Sequence, residues 1–467
     1  MNKSSDPSQS SSHAAHRLEF YAWIVTLGGL MFGMDTGVTN GSLQFMAQHS
    51  QLNLTPSDEG LVTSAITLGA AFGAVVGGKL ADHYGRKRVL SYAAIVFILC
   101  ILGCVFAKNA PIMVTFRFLL GLAVGAESVI SPVYLSELST PRIRGRLVNQ
   151  HELMITSGQL LSYIVNAVLG VTFATLASIW RYMFAFGLIP AIIFLIGIRL
   201  VPESPRWLVM KQRDDQALHI LQHIRGKQNN IEEELQSIKG TLASNSKVNK
   251  ASFRDLKKPW ILRLVLIGIG VGVMQQIIGI NIMMYYGTTI LSNAGFGHSA
   301  ALIANIGNGI TSVVATLVSL RLMTIVNRRK MLITGICGTL LTMLTISILS
   351  STVSNTAIFP YLMIGLMIIF LAFFQGGISP IVWVLLSEIF PQDIRGLAMG
   401  IATFFLWLAN FLVGYVFPIL LAGIGLGNTF IVFTLLNALA LTFAVKFVPE
   451  TRGKSLEELQ AGFKTKD

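Results

Sequence analysis

Apolar residues dominate the chain in runs too long and too continuous for a soluble core. Runs of roughly 18 residues or more read as membrane-spanning helices, since about 20 residues at 1.5 Å each cross the hydrocarbon. Twelve such segments are expected, over 20–43, 59–81, 88–107, 111–135, 148–172, 179–201, 260–291, 299–325, 331–352, 358–387, 395–420 and 426–448. The first 17 residues are polar and Ser-rich, without an h-region and small-residue cleavage site, so the first span is read as uncleaved. The one long polar interval, 202–258, divides the spans six and six. Its DDQALHILQHIRGK and NNIEEELQSIKGTL have the spacing of short amphipathic helices.

The two halves repeat each other. YLSELSTPRIRGRL (134–147) matches VLLSEIFPQDIRGLA (384–398), GRKRVL (85–90) matches NRRKML (327–332), and VPESPR (201–206) matches VPETRG (448–453). The offsets are nearly equal, and each motif follows an even number of spans, so the repeat is parallel, as in two-bundle transporters. The expected architecture is all-α and integral to the membrane. It has an N-terminal tail (1–19), a six-helix bundle (20–201), a linker (202–258), a second six-helix bundle (259–448) and a C-terminal tail (449–467).

Charge then orients the chain. Only 12% of residues are charged, against about 25% in soluble domains, and the mean hydropathy is +0.66. The net charge of +13 would suit nucleic acid were it not for where it lies. Lys79, Arg86, Lys87, Arg88, Arg142, Arg144, Arg146, Arg328, Arg329, Lys330 and Arg395 all fall in every second loop, while the alternate loops carry little beyond Lys108 and Arg181. That bias places both termini in the cytoplasm. Cys100, Cys104 and Cys337 lie in apolar spans without metal-ligand spacing or a disulfide framework, and read as small hydrophobes.

At the ends of the repeated helices, Glu137 with Arg144 and Glu388 with Arg395 stand seven residues apart. Carboxylates and arginines there can bridge neighbouring helices and hold that face shut; plain positive-inside anchoring is the other reading. Asp82, Arg86, Glu203 and Arg328 join them in the set expected to form a cytoplasmic gate.

GGKLADHYGRKR (77–88), RFLLGLAVG (117–125), PVYLSELSTPRIRGRLV (132–148), VPESPRWL (201–208), QQIIGINIMMYYG (275–287), WVLLSEIFPQDIRG (383–396) and VPETRGKSLEE (448–458) resemble, in order and over almost the whole chain, the sugar porter family of the major facilitator superfamily. The resemblance implies two six-helix bundles, related by a pseudo-two-fold axis, around a central cavity that works by alternating access. DTGVTNGSLQFM, QLNLTPSDEGLVTSAITLGAAFGAVVGGKLAD, NQHELMITSGQLLSYIVNAVLG and NIMMYYGTTIL are most similar to bacterial myo-inositol/proton symporters. Proton-coupled xylose, galactose and arabinose transporters are the nearest alternatives.

By spacing alone, Gln275, Gln276 and Asn281 share one apolar span, with Gln159 in the fifth. Adjacent positions 275 and 276 cannot both face one way on a regular helix, and Tyr285 follows Gln275 by ten residues, about 2.8 turns. Amides donate and accept, which suits a polyhydroxyl ligand, but they also glue helices together. The resemblance implies the first role: Gln159, Gln275, Gln276, Asn281 and Tyr285 stand where sugar porters hydrogen-bond their sugar, and Trp383 and Trp407 where they pack aromatics on it. Two departures stand out. Leu406 replaces an amide common in hexose and pentose porters, which fits the inositol type. TIVNRRK (324–330) lacks the Asp and Gly of DHYGRK (82–87), so the second half's latch is expected to be weaker or built differently.

Asp35 is the misplaced charge, costing roughly 2.5–3.5 kcal/mol even on the lenient insertion scale. It lies eight residues from the outer end of its span, ~12 Å, and Arg117 six residues from the outer end of the fourth, ~9 Å. At matched depth the two can pair. The resemblance implies that they couple a proton to transport, since uniporting relatives carry an amide in place of the Asp. Burial disfavours the carboxylate and the guanidinium favours it, so protonation would loosen the pair. Glycines 28, 29, 33, 37 and 41 would let another helix approach. A static ion pair is the alternative, and Glu127 a rival carrier.

The expected function is a proton-coupled symporter for a small neutral polyol or sugar, myo-inositol first, with xylose or hexose symport or an uncoupled facilitator or sensor as alternatives. No cofactor beyond the coupling proton, no nucleic acid and no enzyme activity are expected of a monomer in the bacterial inner membrane. GKS at 453–455 is no phosphate loop, because Val448 replaces its first glycine.

Overall fold

A computed structural model describes residues 7–140, 144–226, 230–247, 258–391 and 394–452. Helix is the only regular element among them. The first half holds α1 (Pro7–Met46), α2 (Pro56–Tyr84), α3 (Arg86–Val105), α4 (Ala110–Leu138), α5 (Arg144–Thr172), α6 (Ile179–Phe186) and α7 (Leu188–Gly197). The linker carries α8 (Pro205–Met210), α9 (Asp214–Arg225) and α10 (Ile231–Lys247). The second half holds α11 (Pro259–Ile277), α12 (Ile280–Asn293), α13 (His298–Ile325), α14 (Arg328–Thr352), α15 (Phe359–Gly377), α16 (Ser379–Ile389) and α17 (Arg395–Phe447).

Local sequence explains the starts and the breaks. Thr55 and Asp58 form a capping box that opens α2, with Pro56 in the first turn, where no N–H is missed. Asn109 opens α4 by accepting from the Ile112 amide at 3.0 Å. Pro380 cannot donate to the preceding turn, and the span breaks into α15 and α16 beside it. Gly279, at φ 98°, separates α11 from α12 in a backbone conformation open to glycine. At 53 residues, ~80 Å, α17 is far longer than a hydrocarbon core of about 30 Å. Gly425 (φ 76°) turns it, so it supplies two spans.

Ten helical stretches among the described residues are long and apolar enough to cross a membrane. Division of the last at Gly425 adds one, and α1, whose hydropathy Asp35 and Asn40 dilute, completes the twelve of a major facilitator fold. Residues 7–19 were expected as a tail, yet they continue α1. Leu18 is buried, Arg17 meets His223 Nδ1 at 3.2 Å and Tyr21 meets His223 Nε2 at 3.1 Å, which docks the start of α1 on α9.

In the first half, small residues let helices cross at backbone distance. A Cβ on Gly33 would overlap the Ile155 carbonyl of α5, and one on Gly121 the Ile66 carbonyl of α2. Between the halves, α5 lies on α13 and α2 on α17, while α1 reaches α12. A cavity is left along the axis between them.

Candidate functional site: a central cavity, a buried ion pair and two capped ends

The cavity measures about 490 Å³, within the range of small-molecule sites. Gln159 of α5, Gln275 and Gln276 of α11, Asn281 of α12, Trp383 of α16 and Trp407 of α17 all line it. Both adjacent glutamines reach it, although a regular helix would turn one away. They occupy the last turn of α11, where the chain unwinds at Ile278–Gly279, and Asn281 Nδ2 donates back to Gln276 Oε1. That break also misplaces Tyr285. The ten-residue spacing assumed one unbroken helix, and after Gly279 resets the phase Tyr285 is 1% exposed and outside the cavity wall. Leu406 lines the cavity beside Trp407, where an amide would have offered a polar contact.

The wall is an incomplete hydrogen-bonding surface. Gln159 Oε1, Gln275 Oε1, Gln375 Oε1, Asn410 Oδ1 and Trp407 Nε1 are buried without a partner in the protein. Unmade hydrogen bonds of this kind cost about 1–3 kcal/mol each, so such a set is held for water or a ligand rich in hydroxyls. Gln375 and Asn410 had no motif to flag them. The Trp407 ring packs edge-on against Phe32 at 5.7 Å, presenting an apolar face. Among the described residues Glu152 is the one carboxylate on the wall, accepting from Ser379 Oγ of the other half at 3.1 Å.

Asp35 and Arg117 meet as their depths predict. Arg117 Nη1 and Nη2 lie 3.2 and 3.3 Å from Asp35 Oδ1 and Oδ2, a two-point contact, and Nη2 also reaches the Thr63 carbonyl at 3.4 Å. Arg117 is fully buried, with the Phe184 ring 5.8 Å from its guanidinium carbon. The pair is not on the cavity wall. Phe32 and Thr36, one turn apart on α1, face the cavity, and Asp35 is turned from them toward α4.

One end of the bundle is shut. Asn40 Nδ2 donates to the Met284 carbonyl at 2.6 Å, while its Oδ1 accepts from Thr288 N and Oγ1 and from Asn305 Nδ2. Tyr163 adds a bond to the same carbonyl, and Tyr286 donates to the Gly414 carbonyl. The Asn40 and Tyr163 bonds join α1 and α5 to the second half, the Tyr286 bond ties α12 to α17 within it, and sequence separations above 100 hide them all from pattern reading. The cavity runs the other way, past Pro132 and Met323 to Met399, one turn from Arg395 at the end rich in basic residues.

At that basic end the expected gate residues form two matching clusters. Arg86 pairs with Glu137 and Asp82, both at 3.0 Å. Arg328 pairs with Glu388 at 2.8 Å, and Arg395 donates to the Phe390 carbonyl. The Arg144 side chain lies outside the described residues. Glu203 Oε1 accepts from the Arg86 and Lys87 amides at 3.0 and 3.3 Å, capping α3. Glu450 does the same for Arg328 and Arg329, at 3.2 and 3.1 Å, capping α14. The second half therefore repeats the first, with Thr324 in place of Asp82. VPES and VPET carried the signal for Glu450. A carboxylate at a helix N-terminus contributes about 0.3–1 kcal/mol through the dipole, and its charged hydrogen bonds about 1.5–3 kcal/mol. Glu203→Ala and Glu450→Ala should each lower the melting temperature in detergent by a similar amount, and an unchanged value for either would break the equivalence of the two caps.

A family model described as sugar (and other) transporter matches residues 21–463. The Bacillus subtilis protein YfiG is 51% identical over 94% of this chain and 91% of its own length. The major myo-inositol transporter IolT of the same organism is 47% identical over 95% and 94%. Among solved structures, the inward-open xylose transporter XylE from E. coli superposes with a TM-score of 0.82 at 30% identity, over 95% of this chain and 99% of that one.

Proposed function

The chain belongs to the sugar transporter family, and from that premise we propose that it imports a neutral polyol, myo-inositol in first place, together with a proton by alternating access. The observation that carries the polyol reading is the row of unpaired amide oxygens on the cavity wall. They can take a hydroxyl ring from several sides, with Trp407 beneath its apolar face. The resemblance to IolT, at 47% identity, and the Leu406 substitution favour inositol over xylose or hexoses. The proton reading rests on the Asp35–Arg117 pair. A carboxylate that can be neutralised supplies a switch that an uncoupled facilitator does not need.

The cycle follows from which end is shut. Placing the basic end in the cytoplasm by the positive-inside rule, in a bacterial inner membrane, makes this an inward-facing state sealed outside by Asn40. Protonation of Asp35 from outside would free Arg117, with substrate held by Gln159, Gln275, Gln276 and Asn281. Closure at the outer seal and parting of the gate clusters Arg86–Glu137 and Arg328–Glu388 from their opposite halves would then open the inner face. Release of the proton restores the pair. Trp383 flanks the inner exit. The coupling ion is a proton, and the protein works as a monomer.

Uptake of labelled myo-inositol by cells expressing the protein tests the reading, with unlabelled cyclitols, xylose and hexoses as competitors and external pH recorded. Competition by myo-inositol ahead of xylose and alkalinisation of the medium on its addition are expected. Failure of inositol to compete removes the substrate assignment, and a flat pH trace removes symport.

A further inference from the structure

A second buried acid–base pair lies on the basic-end side of Asp35, beside Gly28 and Gly29 of α1. Glu127 of α4 and His151 of α5 are 6% and 7% exposed. Their Oε1 and Nδ1 atoms face each other at 3.9 Å, and neither has a hydrogen-bond partner. That gap is too long for a direct bond and suits a bridging water. Such a pair is costly in hydrocarbon unless it is used.

Its position is informative. Glu127 packs on Gly28 of α1, seven residues from Asp35, about 10 Å along the helix toward the basic end. His151, unlike Glu127, lies on the wall of the central cavity. Two small separate cavities lie along the path between the carboxylates. One, of about 10 Å³, is lined by Asp35; another of about 10 Å³ is lined by Glu127, and Met31 and Phe97 form walls of both. Each approaches the volume of a single water, and the partition is two side chains, one of them a flexible methionine.

The other groups around Glu127 do not titrate. Gly28 and Met31 of α1, Ala93, Ala94 and Phe97 of α3, and Phe194 of α7 enclose it, with Ser131 on its own helix. His151 faces Gly29 of α1, and Glu152 is its neighbour on the wall. Further along, the charged groups are Asp35 and Arg117 themselves.

We propose that Glu127 and His151 form a relay that takes the proton leaving Asp35 and delivers it to the central cavity on the basic side. The inference rests on the proton-coupled reading above. In the first step the Asp35 O–H bond breaks and an O–H bond forms on Glu127, through one water in each of the two small cavities, each water accepting a proton and donating another as the Met31 side chain moves aside. In the second, that O–H breaks as an N–H forms on His151. The imidazolium then gives a proton to cavity water, and both groups return to their starting state. Substrate does not travel this route.

The full-length protein in proteoliposomes separates the outcomes, with exchange of labelled substrate, gradient-driven uptake and internal pH measured on each preparation. A positioned group that carries a proton contributes about 10²–10⁴-fold, so Glu127→Gln should lower gradient-driven uptake and proton flux at least about tenfold while exchange continues. His151→Asn should lower proton flux likewise, and Glu127→Asp should restore part of it. Wild-type proton flux in Glu127→Gln overturns the relay. So does parallel loss of exchange and uptake in that variant, which would make Glu127 a structural residue. Absence of proton flux in the unmodified protein instead removes the coupling reading on which the relay rests.

Discussion

Asp35→Asn abolishes accumulation of substrate against its gradient and leaves exchange of labelled for unlabelled substrate running. One proton moved through 100 mV is worth about 2.3 kcal/mol, enough for about fiftyfold accumulation. With the only switchable carboxylate of the pair made permanently neutral, the ratio should fall to about one. The exchange arm survives because Asn keeps the shape of the protonated acid. Its amide oxygen still accepts from the Arg117 guanidinium, the Thr63 carbonyl remains a second acceptor, and the Phe184 ring stays over the cation. The substrate wall is untouched, since Asp35 is not on it. Accumulation at the wild-type ratio in this variant would transfer the coupling role elsewhere, whereas loss of exchange would make Asp35 a packing residue.

The parts of this picture that were legible in the sequence are those that depend on period and depth along one helix. Asp35 and Arg117 could be matched because each lies a countable distance from a helix end, and an isolated charge in hydrocarbon demands a partner. The glycines of α1 could be matched to a close crossing because nothing else fits four residues apart along a helix. What failed, failed where the period is interrupted. Gly279 adopts a left-handed backbone, so counting from Gln275 to Tyr285 gave the wrong face, and both glutamines reach the cavity from an unwinding turn. Asn40 escaped notice because its partners lie 244 and more positions away, and one side-chain amide among threonines carries no pattern. Glu450 was visible as part of a repeated motif, but only the geometry shows that it caps a helix and does not merely add charge.

Arg117→Leu is expected to be the most destabilising single change in the membrane core, and its rescue is specific. Removing one partner of a buried pair leaves the other uncompensated, at about 3–5 kcal/mol. Asp35 has its two carboxylate oxygens on Arg117, and the cavity beside it is about 10 Å³, too small to hydrate a charge. Its escape is to hold a proton throughout the cycle, which itself ends coupling. Replacing both partners removes the orphan, and Asp35→Asn/Arg117→Leu should recover most of the lost stability while remaining unable to accumulate substrate. Thermal unfolding of the four proteins in one detergent gives the cycle directly. If Arg117→Leu melts with the wild type, the pair carries no net energy and its role in coupling loses its physical basis. If the double variant melts no higher than Arg117→Leu, the loss belongs to the packing of Arg117 against Phe184 and Thr63. Recovery of stability without recovery of accumulation would separate what the pair does for the fold from what it does for transport.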